Sequence, residues 1–197
     1  MNIPFKILLL VIALSITKGA IASDEISLEN YSISYSGISF YNVHPDLDRG
    51  EDNSGNLFNH DFNDGRGNGF RLSVNVNGTD PSIMSLSYIN GTHEDKTTKE
   101  EAASDLILFE LGEHFATYET DIVSLHAGIQ GGLGGFFIRP ASDTDDKGLA
   151  MSVRLFTDVI FADRFKITFS GLYFGAGYPG ETVMNGYFVS FDTGIIF

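Results

Sequence analysis

The sequence predicts an all-β fold, an eight-stranded antiparallel up-and-down transmembrane β-barrel following a cleaved signal peptide. Three observations carry that expectation. Apolar/polar alternation recurs across residues 31–197, and side chains on a strand change face with a period of two. The connections between these segments alternate between short and long. A leader of secretory layout precedes them, and the 197 residues contain no cysteine.

The leader, "MNIPFKILLLVIALSITKGAIAS", has Lys6 in a short basic region, an apolar run from Ile7 to Ile16, and the small-residue site Ala20-Ile21-Ala22. Cleavage after Ala22 divides the chain into a signal peptide, 1–22, and a barrel, 23–197. The run between Lys6 and Lys18 falls well short of the ~20 residues a membrane-crossing helix needs. Without cysteine there is neither a disulfide framework nor a lipoprotein anchor, so stability must come from burial and strand pairing. The net charge is −14, and −16 once Lys6 and Lys18 leave. Nucleic acid is an unsuitable partner for such a surface, because phosphate binding needs clustered Lys and Arg. No cofactor is expected.

The strands follow in order. Residues 31–43 form the first, with a phase change near Gly37 that suggests a bulge. Phe70, Leu72, Val74 and Val76 then alternate with Arg71, Ser73, Asn75 and Asn77, and Met84, Leu86 and Tyr88 with Ser85 and Ser87. After 106–118, Val123, Leu125, Ala127, Ile129 and Leu133 alternate with Ser124, His126, Gly128, Gln130 and Gly132. Met151, Val153, Leu155 and Val159 oppose Ser152, Arg154 and Asp158, and Phe165, Ile167 and Phe169 oppose Lys166, Thr168 and Ser170. The last strand is 186–197, and the only helical pattern is the short "TTKEEAASD" at 97–105. Each strand approaches the ~9–11 residues that a tilted membrane crossing requires.

The tight connections lie at 78–81, 119–121 and 162–164, and the long ones at 45–68, 91–105, 140–148 and 179–185. All long loops therefore fall at one end. This is the layout of a barrel in the outer membrane, with both termini and the short turns periplasmic. Aromatics near the strand ends suggest two girdles: Tyr31, Phe115, Phe161, Phe165 and Phe197 at the turn end, and Tyr41, Phe70, Tyr88, Phe137, Tyr173 and Tyr187 at the other.

The final strand, "GYFVSFDTGIIF", places Tyr187, Val189, Phe191, Thr193, Ile195 and Phe197 on one face. With the architecture above, it resembles the small eight-stranded outer-membrane β-barrel proteins of Gram-negative bacteria. The resemblance covers essentially the whole mature chain. It implies that Tyr187, Val189, Phe191, Ile195 and Phe197 form an assembly signal read by the barrel-assembly machinery. It also implies a place in the cell outer membrane among its lipids and lipopolysaccharide. Because the sequence stops at this strand, no peptidoglycan-binding domain is expected after it.

If the apolar faces meet lipid, the opposite faces fill the lumen, where Arg71, Arg154 and Lys166 are opposed by Glu110, Asp158 and Asp192. A polar plug that holds the barrel's shape is the expected arrangement, since eight strands leave an interior that side chains can fill. The inward glycines Gly128, Gly132 and Gly134 would leave local cavities. One catalytic alternative places Ser124, His126, His114 and Glu110 on the same face, the residue types of an acyl-transfer centre. Weak metal candidates are Asp61, Asp64, Asp143 and Asp145, hard oxygen ligands in the glycine-turned loops "DFNDGRGN" and "SDTDDKG". The bland reading is a solvated acidic rim. The functional expectation is a non-catalytic, porin-like cell-surface barrel with a structural or surface-interaction role. Loop 45–68, carrying Leu57, Phe58 and Phe62 among acids, is the element for a surface ligand. The alternatives are a narrow channel or small hydrophobic ligand carrier, a lipid A acyl hydrolase or transferase, and a water-soluble barrel whose apolar face points inward.

Overall fold

The computed structural model describes residues 27–45, 65–77, 82–94, 99, 101–140, 146–178 and 181–197. They form eight strands: β1 (Ser27–Pro45), β2 (Gly65–Asn77), β3 (Ser82–Glu94), β4 (Glu101–Glu119), β5 (Val123–Pro140), β6 (Asp146–Phe161), β7 (Phe165–Tyr178) and β8 (Glu181–Ile196). Each pairs antiparallel with its neighbours in sequence, and β8 returns to β1, closing the barrel. Closure satisfies the backbone of every strand and leaves no free edge.

The strands are longer than hydrophobic alternation suggested, ranging from 13 residues in β2 and β3 to 19 in β1 and β4. The ladder does not stop where the apolar pattern stops, because backbone pairing is indifferent to side-chain polarity. "GRGNG" belongs to β2, "GTHE" to β3, and the second half of the expected helix "TTKEEAASD" to β4. Likewise β7 ends at Tyr178 and β8 begins at Glu181, so the loop expected at 179–185 is mostly strand. At ~3.3 Å per residue and a tilt near 40°, the 19 residues of β4 rise roughly 45 Å, well beyond an apolar band of ~25 Å.

Two short connections are resolved in detail at what we call the turn end. Thr120 caps the first, its hydroxyl accepting from Val123 N–H and its own N–H donating to Val123 C=O. In the second, Arg164 N–H closes onto Phe161 C=O with Ala162 and Asp163 both at positive φ, 49° and 56°. That is type I′ geometry, adopted here without the usual glycine.

No bulge occurs at Gly37. The register of β1 shifts between Glu29 and Tyr31, around Asn30 at φ 53°, and against β8 between Tyr41 and His44. Ser32, Ser34 and Ser36 point inward, and so do Ile38 and Phe40, without any change of parity. The apparent phase change marks a lumen that turns from polar to apolar along its length.

The outer surface settles which side of the wall is oily. Tyr35, Phe70, Phe109, Leu133, Met151, Leu155, Phe169 and Val189 are exposed, as are most large apolar residues of the outward parity. A water-soluble barrel with these faces inward is thereby ruled out. Tyr187, Val189, Phe191, Ile195 and Phe197 all belong to this exposed face. Of the expected girdle aromatics, Phe115, Phe161, Phe165 and Phe197 are exposed at the turn end, and Tyr41, Phe70, Phe137, Tyr173 and Tyr187 at the loop end.

Candidate functional site in the barrel lumen

All six expected lumen charges, Arg71, Glu110, Arg154, Asp158, Lys166 and Asp192, are buried inside the barrel. The closed register sorts them into three pairs. Arg154, on β6, reaches across to β4, its Nε donating to Glu110 Oε1 at 2.8 Å and its Nη2 to Oε2 at 3.1 Å. Glu110 is 0 % exposed and also accepts from Ser87 Oγ. Arg71 meets Asp192 at 3.2 Å. Lys166 lies 3.7 Å from Asp158 and donates to Ser32 Oγ at 2.8 Å, while Thr168 donates to Asp158. Hydroxyl and amide groups fill the space between: Gln130 donates to Ser85, Ser85 to Ser73, and Arg154 Nη1 to Ser170, which contacts Ser190 at 2.7 Å. Opposite charges desolvated together in this way offset each other's burial cost.

Towards the loop end the lumen is mostly apolar, with His93 and Ser104 buried there 2.8 Å apart, which revises the expected plug. Ile38, Phe40, Leu106, Leu108, Phe136, Leu172, Phe174 and Phe188 fill it as one buried cluster. Phe188, 0 % exposed, packs against Phe40 at 5.4 Å between ring centroids and lies 5.8 Å from the Arg154 guanidinium, joining the two layers. A pocket between the two layers, lined by Ser36, Ile38, Arg71, Arg154, Phe188 and Ser190, holds only about 10 Å³, roughly the limit for one water. The inward glycines leave no cavities either. A Cβ on Gly128 would fall 2.3 Å from Phe156, one on Gly132 2.4 Å from Ser152 Oγ, and one on Gly134 1.7 Å from the Ile107 carbonyl. Their neighbours already occupy the space.

The turn end is open, forming a blind cavity of about 350 Å³ lined by His114, His126, Ser124, Glu119, Asp158 and Lys166. The two imidazoles meet edge to face at 4.8 Å, and His126 Nε2 lies 3.6 Å from Glu119 Oε1. Three of the four residues of the catalytic alternative are therefore together, but the constellation is not assembled. Glu110 sits in the middle layer, committed to Arg154 and Ser87. Ser124 is paired in register with Glu119 and Ile160, and His126 with Thr117 and Asp158, which leaves Ser124 two residues, about 6.6 Å, along the strand from His126. The carboxylate beside His126 is Glu119. Among the described residues no group of three potential ligands is arranged around a metal position. Asp61, Asp64, Asp143 and Asp145 lie outside the described residues.

The closed barrel of eight antiparallel strands defines a fold that the comparisons bear out. No family model matches the chain. No curated protein matches it either. Solved structures do match. Neisserial surface protein A (NspA) aligns over 87 % of this chain and 97 % of its own, at 13 % identity and a TM-score of 0.54. The outer membrane protein OprG of Pseudomonas aeruginosa aligns over 86 % and 96 %, at 11 % identity and a TM-score of 0.52. The chain has the fold of the small eight-stranded outer-membrane β-barrels.

Proposed function

We propose that the chain is an integral outer-membrane protein with a structural or surface-interaction role, exported by the signal peptide 1–22 and inserted as the barrel 23–197. The observation that carries this reading is the inversion of the barrel: an apolar exterior around a lumen whose charges are paired and whose pocket between the charged and apolar layers has room for about one water. Such a surface is stable only against hydrocarbon. The termini and the turns at 120–122 and 162–164 face the periplasm, and the long connection between β1 and β2 faces outward. With the lumen filled, the means left for interaction are the outer loops, foremost 45–68, and the wall itself. The outward residues of β8 serve as the signal for the barrel-assembly machinery.

Two measurements test the reading. Membrane-extracted protein should run as a distinct compact band in SDS when unheated and shift on boiling. Purified protein in planar bilayers should show no steady single-channel conductance. Absence of the shift, with recovery in the soluble periplasmic fraction, would overturn the membrane placement. A reproducible conductance would favour the narrow-channel reading.

The cavity at the turn end supports one secondary reading, a small-molecule site. Its lining of His114, His126, Asp158 and Lys166 suits a polar occupant better than a hydrophobic one. A lipid A enzyme is disfavoured by the separation of Ser124 from His126 and of both from Glu110.

A further inference from the structure

A carboxylate near the loop end of β4 stands on the lipid-facing side of the wall. In β4, Ser104 and Leu106 are buried in the lumen and Ile107 and Phe109 are exposed outside, so Asp105 has the outward parity. Asp105 is nevertheless only 6 % exposed, because its neighbours enclose it. Tyr88 Oη donates to its Oδ1 at 2.7 Å, Asn90 Nδ2 to the same oxygen at 2.9 Å, and Arg139 pairs with Oδ2. A carboxylate saturated by three partners on a lipid-facing parity is a built feature. Its effect is to hold Arg139 at Nη2, while the Arg139 side chain stays 45 % exposed.

The register places this cluster in successive outward rows across β1–β6. The lower row, Tyr35, Phe70, Tyr88, Ile107, Gly135 and Leu149, is apolar apart from the hydroxyls of Tyr35 and Tyr88. The next, Asn68, Asn90, Asp105, Phe137 and Lys147, is mostly polar. Above it come Arg66, Thr92, Ala103 and Arg139. Lys147 is the direct partner of Phe137, so Arg139 and Lys147 are diagonal neighbours, about 7–8 Å apart along the sheet and within reach of one shared anion. Of the twelve Lys and Arg in a chain of net charge −14, Arg66, Arg139 and Lys147 face outward here, at the upper boundary of the apolar band. Glu94 and Glu101 lie one row higher, where Lys99 meets Glu94 at 3.5 Å.

We infer that this notch binds the phosphate of an outer-leaflet lipid headgroup, with Arg139 and Lys147 as the binding cations, Asp105 as the positioning residue and the apolar row beneath as the seat of the acyl chains. The inference rests on the membrane placement proposed above. A guanidinium held at Nη2 keeps N–H donors on its other nitrogens for a phosphate, and Lys147 adds a second charge. The apolar row directly below selects a lipid phosphate over a free one.

The test uses the full mature chain folded in neutral detergent, with the midpoint for loss of the compact SDS-resistant band read against added bisphosphorylated lipid A, dephosphorylated lipid A or inorganic phosphate. The wild type should be stabilised by the phosphorylated lipid alone. Each cation removed should weaken the apparent affinity roughly fivefold. Arg139→Gln/Lys147→Gln should therefore lose most of the response, Asp105→Asn part of it, and Lys99→Gln none. Equal stabilisation by the dephosphorylated lipid, an unchanged response in the double variant, or full stabilisation by inorganic phosphate would overturn the inference. If no compact band forms in the wild type, the membrane placement itself fails and the inference falls with it; a compact band with no lipid response refutes the inference alone.

Discussion

Replacing Glu110 with glutamine changes three contacts at once in the middle layer of the lumen. Glu110 accepts Arg154 Nε at 2.8 Å, Arg154 Nη2 at 3.1 Å and Ser87 Oγ, and both charged partners are almost wholly inaccessible. A glutamine keeps one acceptor but turns an NH₂ towards a guanidinium that can only donate. The loss is at least one charge-assisted bond, about 1.5–3 kcal/mol, plus the burden of a buried cation deprived of its counter-ion. Breaking a buried pair typically costs ~3–5 kcal/mol. Arg154 retains Ser170 at 3.0 Å and the face of Phe188 at 5.8 Å, which points to the lower end, near 3 kcal/mol, or roughly two orders of magnitude in the folding equilibrium. Urea titrations of folding into lipid vesicles, followed by band shift, measure this directly. Arg154→Met alone should cost a similar amount, whereas the double variant should lose at least about 2 kcal/mol less than the sum. Additive losses, or a Glu110→Gln penalty under about 0.5 kcal/mol, would refute the idea that the pair is one electrostatic unit.

Phe188→Ala should destabilise by about 3–5 kcal/mol and leave a cavity between the charged and apolar layers, measurable as a lower urea midpoint. Gly134→Ala should lower that midpoint too, by more than about 1 kcal/mol, because the added methyl meets the Ile107 carbonyl at 1.7 Å and the β4–β5 ladder must separate. Ala162→Gly should act oppositely, raising stability by up to ~1 kcal/mol by relieving a side chain held at φ 49°. Overproducing the protein should leave the mass of lipid A unchanged, in wild type and in Ser124→Ala alike, as read by mass spectrometry of extracted lipid.

The barrel was legible because its wall separates two media, and alternation reports that separation strand by strand. The six lumen charges were legible for the same reason: an Arg or Asp on the quiet parity of an apolar strand has nowhere else to go. Their partners were not, since the Arg154–Glu110 contact depends on how far the closed sheet is sheared, which no single strand encodes. The apolar upper lumen escaped because a period of two distinguishes faces only while they differ in polarity. At Ile38 and Phe40 the inward face becomes apolar while the outward positions are Gly37 and Ser39, and the sequence imitates a bulge at Gly37 where the backbone has none. The strand ends escaped for the complementary reason: at "EAASD" the ladder runs on through residues of no clear pattern. That extension is what brings Asp105 beside Tyr88 and Arg139, and no local spacing announces it.

The two-layered filling of the barrel has an electrical consequence. An ion entering from the open end would first meet fixed counter-charges able to replace its water, and then a storey made mostly of phenyl and aliphatic groups, where the buried His93 and Ser104 already bond each other. For a barrel seated in a bilayer, an applied voltage would therefore drop mainly across that second storey, as it does across the surrounding acyl chains. The protein would behave as part of the dielectric, adding capacitance and no leak, so that a cell could carry it in very many copies without dissipating any gradient.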